Sequence, residues 1–101
     1  MPNTFKSFQS VAVTAETTVY TGPASAQATI IGLSTANVSD VPAYVSIKLN
    51  SAYIVKNAPV PVGSSLISVG GDQKLVIETG DILSISSDNP VDVVLSVLEI
   101  T

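Results

Sequence analysis

Apolar and polar residues alternate along most of this chain in short segments, a pattern typical of β-strands. The clearest segment is 43–49, where Ala43, Val45, Ile47 and Leu49 share one side and the residues between them are more polar. This spacing predicts a strand with one buried face and one solvated face. No segment shows a convincing 3.6-residue period, so the sequence predicts no amphipathic helix.

The same alternation, interrupted by Gly, Pro, Asn and Asp, predicts about nine strands. We expect them at 9–14, 17–21, 27–36, 43–49, 52–56, 65–69, 74–78, 82–86 and 91–100. Fifteen valines, nine isoleucines and nine threonines strengthen this prediction, because branched side chains fit a pleated surface. The predicted fold class is all-β: a single antiparallel β-sandwich, jelly-roll-like, over residues 11–101.

Several positions predict irregular backbone between or within these strands. Gly32 lies inside a strand pattern and marks a bulge or a close backbone approach. Asn50 and Ser51 predict a hairpin turn, and residues 70–72 (GGD) predict another tight turn. Residues 58–63 contain two prolines, which lack N–H donors, so this stretch is expected at a sheet edge or in a crossing between sheets.

The last predicted strand, 91–100, is apolar on both faces. One face carries Val91, Val93, Leu95 and Val97, and the other carries Val94, Leu98 and Ile100 with Asp92 and Ser96. Such a strand is either central in its sheet or covered on its second face by another subunit.

Residues 1–10 (MPNTFKSFQS) are polar except for Phe5 and Phe8, the two phenylalanines of the chain. Two interpretations are equally open. The segment is a frayed terminus, or it is a short N-terminal arm whose aromatic side chains dock into a neighbouring subunit.

The balance of apolar and charged residues points to partner surfaces. Apolar residues make up 46% of the chain, charged residues 12%, and the mean hydropathy is +0.48. About a quarter of the residues of an average soluble domain are charged. Part of the apolar surface is therefore expected to lie against partners, most simply in a homo-oligomer.

The charge of the chain argues against nucleic acid as a partner, and its hydropathy argues against insertion into a membrane. The net charge is −4, arginine is absent, and the four lysines are scattered, so clustered phosphate contacts are not expected. No apolar run approaches the length of a membrane span, and the first residues are not expected to act as a signal peptide. Lys48, Lys56 and Lys74 are interpreted as solubilising charges that guard strand edges, or as partners for acids of a neighbouring subunit.

Catalysis and cofactor binding are not expected. The chain has no histidine, cysteine or arginine. It therefore lacks the commonest general base, the best nucleophile and the side chain that most often stabilises an oxyanion. Its many serines cannot form a Ser-His-Asp triad. We therefore predict that the protein is not an enzyme and has neither catalytic residues nor a cofactor.

Acidic residues near predicted turns are candidates for a calcium site. Asp72, Glu78 and Asp81 surround two turns, and Asp88 and Asp92 bracket a third. Calcium needs six or more oxygen ligands from a dense loop, and no such spacing exists. Turn aspartates ordinarily bond to nearby backbone, so no metal is expected.

Tyrosines could form sugar-binding platforms, but Tyr20, Tyr44 and Tyr53 lie on different predicted strands and no tryptophan accompanies them. Packing in the core or at an interface is favoured, since tyrosine suits a half-buried position in which its hydroxyl reaches solvent. The candidate interface residues are Phe5, Phe8, Tyr44, Tyr53, Val94 and Leu98.

Four segments resemble a family of small bacteriophage virion proteins, frequent in cyanophage-like and other tailed phages. They are TTVYT.PA at 17–24, IVKNAPVPVG.SL at 54–66, GDQKLVIETGD at 71–81 and SVLEIT at 96–101. The resemblance spans about residues 11–101 and consists of turns and alternating strands.

The resemblance implies a virion structural protein, assembled in the host cytoplasm. The preferred role is a capsid decoration (cement) protein on the head exterior, often a trimer, that binds the major capsid protein. The alternative is a neck, collar or tail-associated protein that binds portal, neck or tail proteins. A carbohydrate- or receptor-binding β module is the second alternative.

Overall fold

The computed structural model describes residues 3–24, 26–69 and 74–100. These residues form nine strands: β1 (Asn3–Val13), β2 (Thr17–Thr21), β3 (Gln27–Asn37), β4 (Ala43–Leu49), β5 (Ala52–Val60), β6 (Ser65–Val69), β7 (Leu75–Ile77), β8 (Ile82–Ser87) and β9 (Val91–Ile100). Among the described residues, no helix is long and apolar enough to cross a bilayer.

The strands form two antiparallel sheets packed face to face. Sheet A has the order β1-β9-β3-β6, with β7 also paired to β3, and sheet B has the order β2-β8-β4-β5. Every pairing between these nine strands is antiparallel. The chain crosses repeatedly between the sheets, and this strand order is that of an eight-stranded jelly roll whose sixth strand is divided into β6 and β7. The prediction of an all-β, jelly-roll-like sandwich is confirmed.

The core lies between the two sheets and consists mainly of branched aliphatic side chains. From β4 it receives Ala43, Val45 and Ile47, and from β9 it receives Val91, Val93, Leu95 and Val97, each no more than 1% exposed. Both strands therefore bury the face that their alternation predicted. β9 lies between β1 and β3, so of the two interpretations of its apolar faces the structure shows the central position.

Three predicted irregularities also appear in the structure. The register of β3 against β9 shifts between Ile30 and Gly32, so the chain has a bulge there. β4 and β5 form a hairpin in which Asn50 has a φ of 56°, a left-handed conformation that Asn tolerates well. β5 is an edge strand that includes Pro59. The predicted turn at 70–72 lies outside the described residues.

The N-terminal segment is arranged differently from either expectation. Residues 3–10 belong to β1 and pair residue by residue with β9, from Asn3 opposite Ile100 to Ser10 opposite Val93. The predicted boundary at residue 10 is thus not a boundary of secondary structure, and this segment lies on the sheet instead of forming a separate arm. The sequence did not predict a strand at residues 3–8 because they are mostly polar, and an edge strand with one solvated side needs few apolar residues.

Candidate interaction surface

The outer face of sheet A carries a row of side chains that crosses four strands. Phe5 of β1 lies opposite Leu98 of β9, Leu98 lies opposite Thr29 of β3, and Thr29 lies opposite Val76 of β7. Directly opposed residues share a face, so these side chains lie side by side on the solvent side of the sheet.

A second row runs parallel to the first on the same outer face. Val94 of β9 lies opposite Ser34 of β3, and Ser34 lies opposite Ile67 of β6. We call the apolar members of both rows the apolar face: Phe5, Ile67, Val76, Val94 and Leu98. Phe5, Ile67 and Val76 are 72%, 69% and 65% exposed. Large exposed side chains gathered on one face are typical of an interaction surface.

The outer face of sheet B has a different chemistry. It carries polar residues and two exposed tyrosines, Tyr44 and Tyr53, each about half exposed. Tyr44 borders a shallow depression of about 540 Å³ that is also lined by Ser46, Asn57, Ser86, Ser87 and Asp88. We call this surface the polar face. The two sheets therefore present unlike surfaces to the solvent.

Lysines surround Tyr53 on the polar face. The Nζ atoms of Lys56 and Lys48 lie 5.0 and 5.7 Å from the centroid of the Tyr53 ring, within the range of a cation–π contact. Lys48 also forms a 2.8 Å ion pair with Glu16, which raises the pKa of the Lys48 ammonium. Lys48 thus has an acidic partner within its own chain.

A buried polar cluster joins the two sheets at one end of the sandwich. The hydroxyl of Tyr20, on β2, donates a 2.6 Å hydrogen bond to Oε2 of Glu99, on β9. The Nζ atom of Lys6, on β1, lies 2.9 Å from the other carboxylate oxygen of Glu99. The bonds from Tyr20 and Lys6 hold the pKa of the Glu99 carboxyl below its ordinary value. Burial, together with the neighbouring Glu99 carboxylate, raises the pKa of the Tyr20 phenol.

The structure distributes the six predicted interface residues over three surfaces. Phe5, Val94 and Leu98 lie together on the apolar face, whereas Tyr44 and Tyr53 lie on the polar face on the opposite side of the molecule. Phe8 points to the inner side of β1, where its ring packs against Tyr20 with centroids 5.4 Å apart. The role of these residues at an interface stays a prediction, but they do not form one site.

Sequence reasoning missed Ile67 and Val76, which complete the apolar face. Their position depends on the pairing of β6 and β7 with β3, and local alternation carries no information about that pairing. It also missed the buried Glu99, although a signal was present: Glu99 continues the alternation of Val91, Val93, Leu95 and Val97 on the buried face of β9.

Three of the turn aspartates bond to backbone. Asp81 accepts a 3.0 Å bond from the amide of Glu78 in its own turn, and the side chain of Asn50 donates a second one; these bonds lower the pKa of the Asp81 carboxyl. Asp88 and Asp92 accept bonds from the amides of Tyr44 and Ala12, on other strands. Their role is thus to join strands as well as to shape turns. Asp72 lies outside the described residues.

Among the described residues, no group of three or more His, Cys, Asp or Glu side chains could hold a metal ion. The carboxylates of Asp81, Asp88 and Asp92 are occupied by the backbone and side-chain bonds just described. Nothing in this part of the chain therefore supplies the dense oxygen shell that calcium requires.

No protein-family model matches this sequence, and no curated protein matches it. Among solved structures, the chain is similar to a protein of the Bacillus endospore appendages, which form a novel family of disulfide-linked pili. The two chains are 14% identical with a TM-score of 0.56, and the match covers 97% of this chain and 84% of the other. At this identity the likeness shows a shared fold.

Proposed function

We propose that this chain is a structural protein without enzymatic activity, which acts by packing against copies of itself and against a larger protein assembly. The observation that carries the proposal is the apolar face: three large apolar side chains on it, Phe5, Ile67 and Val76, are each more than 60% exposed. Fully burying one such side chain contributes roughly 1.5–3 kcal/mol. Covering several of them at once therefore favours association.

The structural neighbour supports an assembly role in general terms, because that protein belongs to appendages that form pili. Those pili are disulfide-linked, whereas this chain has no cysteine. Its contacts within an assembly would therefore form without disulfides. The low share of charged residues, 12%, favours contacts that salt screens little.

The assembly that we propose is a bacteriophage particle, with the chain as a capsid decoration protein on the head exterior and the major capsid protein as its partner. The support is the resemblance of segments 17–24, 54–66, 71–81 and 96–101 to small virion proteins. A protein that binds only the assembled shell stabilises it by mass action, and many self-associated copies add avidity. A neck or tail-associated position is the alternative location within the same particle.

Sedimentation velocity tests self-association directly. The wild-type protein should sediment as a species larger than its 10.4 kDa monomer at micromolar concentrations. Val94→Lys and Ile67→Lys place a charge on the apolar face and should shift the protein toward smaller species. Thr18→Lys is the control, since Thr18 is exposed on the outer side of sheet B. A wild-type protein that stays monomeric would contradict the proposal.

Electron cryomicroscopy of the whole particle tests the proposed location of the protein on the head. Many copies distributed around the shell would support the decoration role, and a few copies at one vertex would support the neck. Absence of the protein from purified particles would contradict both positions.

The polar face supports a second candidate function, binding of a carbohydrate. Exposed Tyr44 stands beside a depression lined by hydroxyl, amide and carboxylate groups from Ser46, Ser86, Asn57 and Asp88. An aromatic ring can pack against the apolar face of a sugar while such polar groups bond to its hydroxyls. A glycan array with the purified protein tests this candidate. Saturable binding that is lost in Tyr44→Ala would support it, and absence of binding to every glycan would count against it.

A further inference from the structure

The four sheet edges of this sandwich differ in how well they are protected against pairing with another chain. Natural edges are commonly protected by short length, proline, bulges or charge. β2 has five residues, and β6 and β7 have five and three. β5 contains Pro59, and its residue Asn57 has a φ of 52° where the register against β4 shifts. Each of these three edges therefore carries at least one such protection.

Over residues 3–10 the β1 edge is neither short nor interrupted by a proline or a bulge. β1 is 11 residues long and contains no proline. Its pairing with β9 runs without a register shift from Asn3 to Ser10, and the irregularity begins only between Ser10 and Val13. Residues 3–9 are all exposed. The second side of this straight segment thus presents a regular series of backbone groups to the solvent.

Charge does not protect the β1 edge either. The one charged side chain of β1 is Lys6, and its ammonium lies 2.9 Å from the buried carboxylate of Glu99 in the same chain. The outward side chains of the straight segment, Asn3, Phe5, Ser7 and Gln9, are uncharged. A second copy of the strand could approach without meeting an unbalanced charge.

We infer that β1 pairs antiparallel with β1 of a second copy about a twofold axis, so that the two A sheets become one continuous sheet. This inference rests on the proposed self-association and names one contact of it, at the sheet edge, while the joined apolar face remains available to further copies or to the larger assembly. Twofold pairing uses the same surface on both copies. It also joins the two apolar faces into one, because Phe5 lies at the β1 end of the row that includes Leu98 and Val76.

The sequence of β1 selects the register of this pairing. Keeping both apolar faces on one side requires that outward residues oppose outward residues. Pairing centred on Lys6 would set the two Lys6 side chains opposite each other, which is unfavourable for like charges. Pairing centred on Ser7 instead sets Ser7 opposite Ser7, Phe5 opposite Gln9, and Lys6 opposite Phe8. We therefore place the twofold axis at Ser7.

Single cysteine variants test this register, because the chain has no cysteine of its own. Directly opposed Cα atoms in an antiparallel pair lie about 4.5–5.5 Å apart, which a disulfide can bridge. Under mild oxidation Ser7→Cys should form a covalent dimer of twice the 10.4 kDa monomer mass. That dimer should sediment as the wild-type protein does.

Two control variants separate this contact from random collisions. In Gln9→Cys, on the same exposed side of β1, the two sulfur atoms would be offset by four residues along the strands, roughly 14 Å. In Ser96→Cys, opposite Ser7 on β9, they would be three strand spacings apart, also about 14 Å. Both variants should remain monomeric on a non-reducing gel.

The outcomes distinguish this inference from the proposed function. If the wild-type protein is oligomeric but Ser7→Cys cross-links no faster than Gln9→Cys, the β1 pairing is wrong and the self-association stands. If the wild-type protein is monomeric and Ser7→Cys does not cross-link, both are wrong. A closed trimer in which Ser7→Cys stays uncross-linked would overturn the β1 pairing and favour the trimer that the sequence resemblance implies.

Discussion

The hydroxyl of Tyr20 donates a hydrogen bond of 2.6 Å to Oε2 of Glu99 and so links sheet B to sheet A through the interior of the sandwich. The two residues are 6% and 7% exposed. A buried carboxylate is costly unless each oxygen has a partner, and Lys6 provides the second partner at 2.9 Å. This cluster therefore holds three strands, β1, β2 and β9, in one arrangement.

Removing the hydroxyl of Tyr20 should weaken the fold. We expect Tyr20→Phe to lower the free energy of unfolding by about 1.5–3 kcal/mol, because Glu99 loses a charge-assisted hydrogen bond and stays buried. Urea denaturation at a fixed protein concentration measures this change. Tyr53→Phe is the matched control, since Tyr53 is half exposed, and it should change stability by less than about 0.5 kcal/mol.

Stability should fall in acid because of Glu99. Its pKa is lower in the folded chain than the value of about 4.3 in an unfolded chain. Its contribution is therefore complete above that unfolded value and is lost as the pH falls through the folded pKa. Glu99→Gln should remove part of this acid sensitivity. Urea midpoints of the wild-type protein and of Glu99→Gln, measured from pH 7 into the acid range, show how much of the acid sensitivity Glu99 causes. Asp81→Asn is a necessary comparison, because the pKa of Asp81 is also lowered. Parallel pH curves for wild type and Glu99→Gln would contradict the assignment to Glu99.

Local alternation is sufficient to predict most of the fold. It places Ala43, Val45 and Ile47 on one buried face of β4, and they are fully buried there. The bulge at Gly32 is also predictable, because a glycine inside a strand pattern often marks a bulge or a close backbone approach. These features depend on neighbours in the sequence, so the sequence shows them directly.

The interaction surface depends on pairing between distant strands. Phe5 and Phe8 are three residues apart and so lie on opposite faces of a strand, but only the pairing of β1 with β9 shows that a strand runs there, with Phe5 on the apolar face and Phe8 against the ring of Tyr20. Likewise, Ile67 and Val76 join that face only because β6 and β7 both pair with β3. Contacts of this kind are set by the tertiary fold, which local periodicity does not encode.

Asn37 should be essential for the loop that follows β3. Its side-chain amide donates to the carbonyls of Val41 and Val60, and its Oδ1 accepts from the amide and hydroxyl of Ser39. Asn37→Ala would remove the buried bond to the carbonyl of Val60 and the partly buried bonds with Val41 and Ser39, so we expect a loss of about 2–4 kcal/mol in unfolding free energy. Thermal unfolding compared with Asn3→Ala, at an exposed position, measures it. Equal effects of the two substitutions would show that this network contributes little.

Gly22 and Gly32 should respond in opposite ways to the same substitution. A Cβ atom at Gly22 would collide with the carbonyl of Glu78. Gly22 cannot move away easily, because its amide donates to the carbonyl of Asp81 at 2.8 Å and its own carbonyl accepts from the amide of Gly80 at 3.1 Å. A Cβ atom at Gly32 would lie 3.8 Å from Cβ of Ser96, which is ordinary contact.

We therefore expect Gly22→Ala to destabilise the fold by about 3 kcal/mol or more, at or above the upper end of the usual cost of overpacking, because the colliding atom belongs to the backbone. Gly32→Ala should leave stability unchanged or raise it by up to about 1 kcal/mol, because alanine loses less backbone entropy on folding in a strand. Circular dichroism melts of the two variants at equal concentration measure the difference. Similar melting temperatures for the two variants would contradict this prediction. They would mean that the turn at Gly22 rearranges at little cost despite its backbone hydrogen bonds with Asp81 and Gly80.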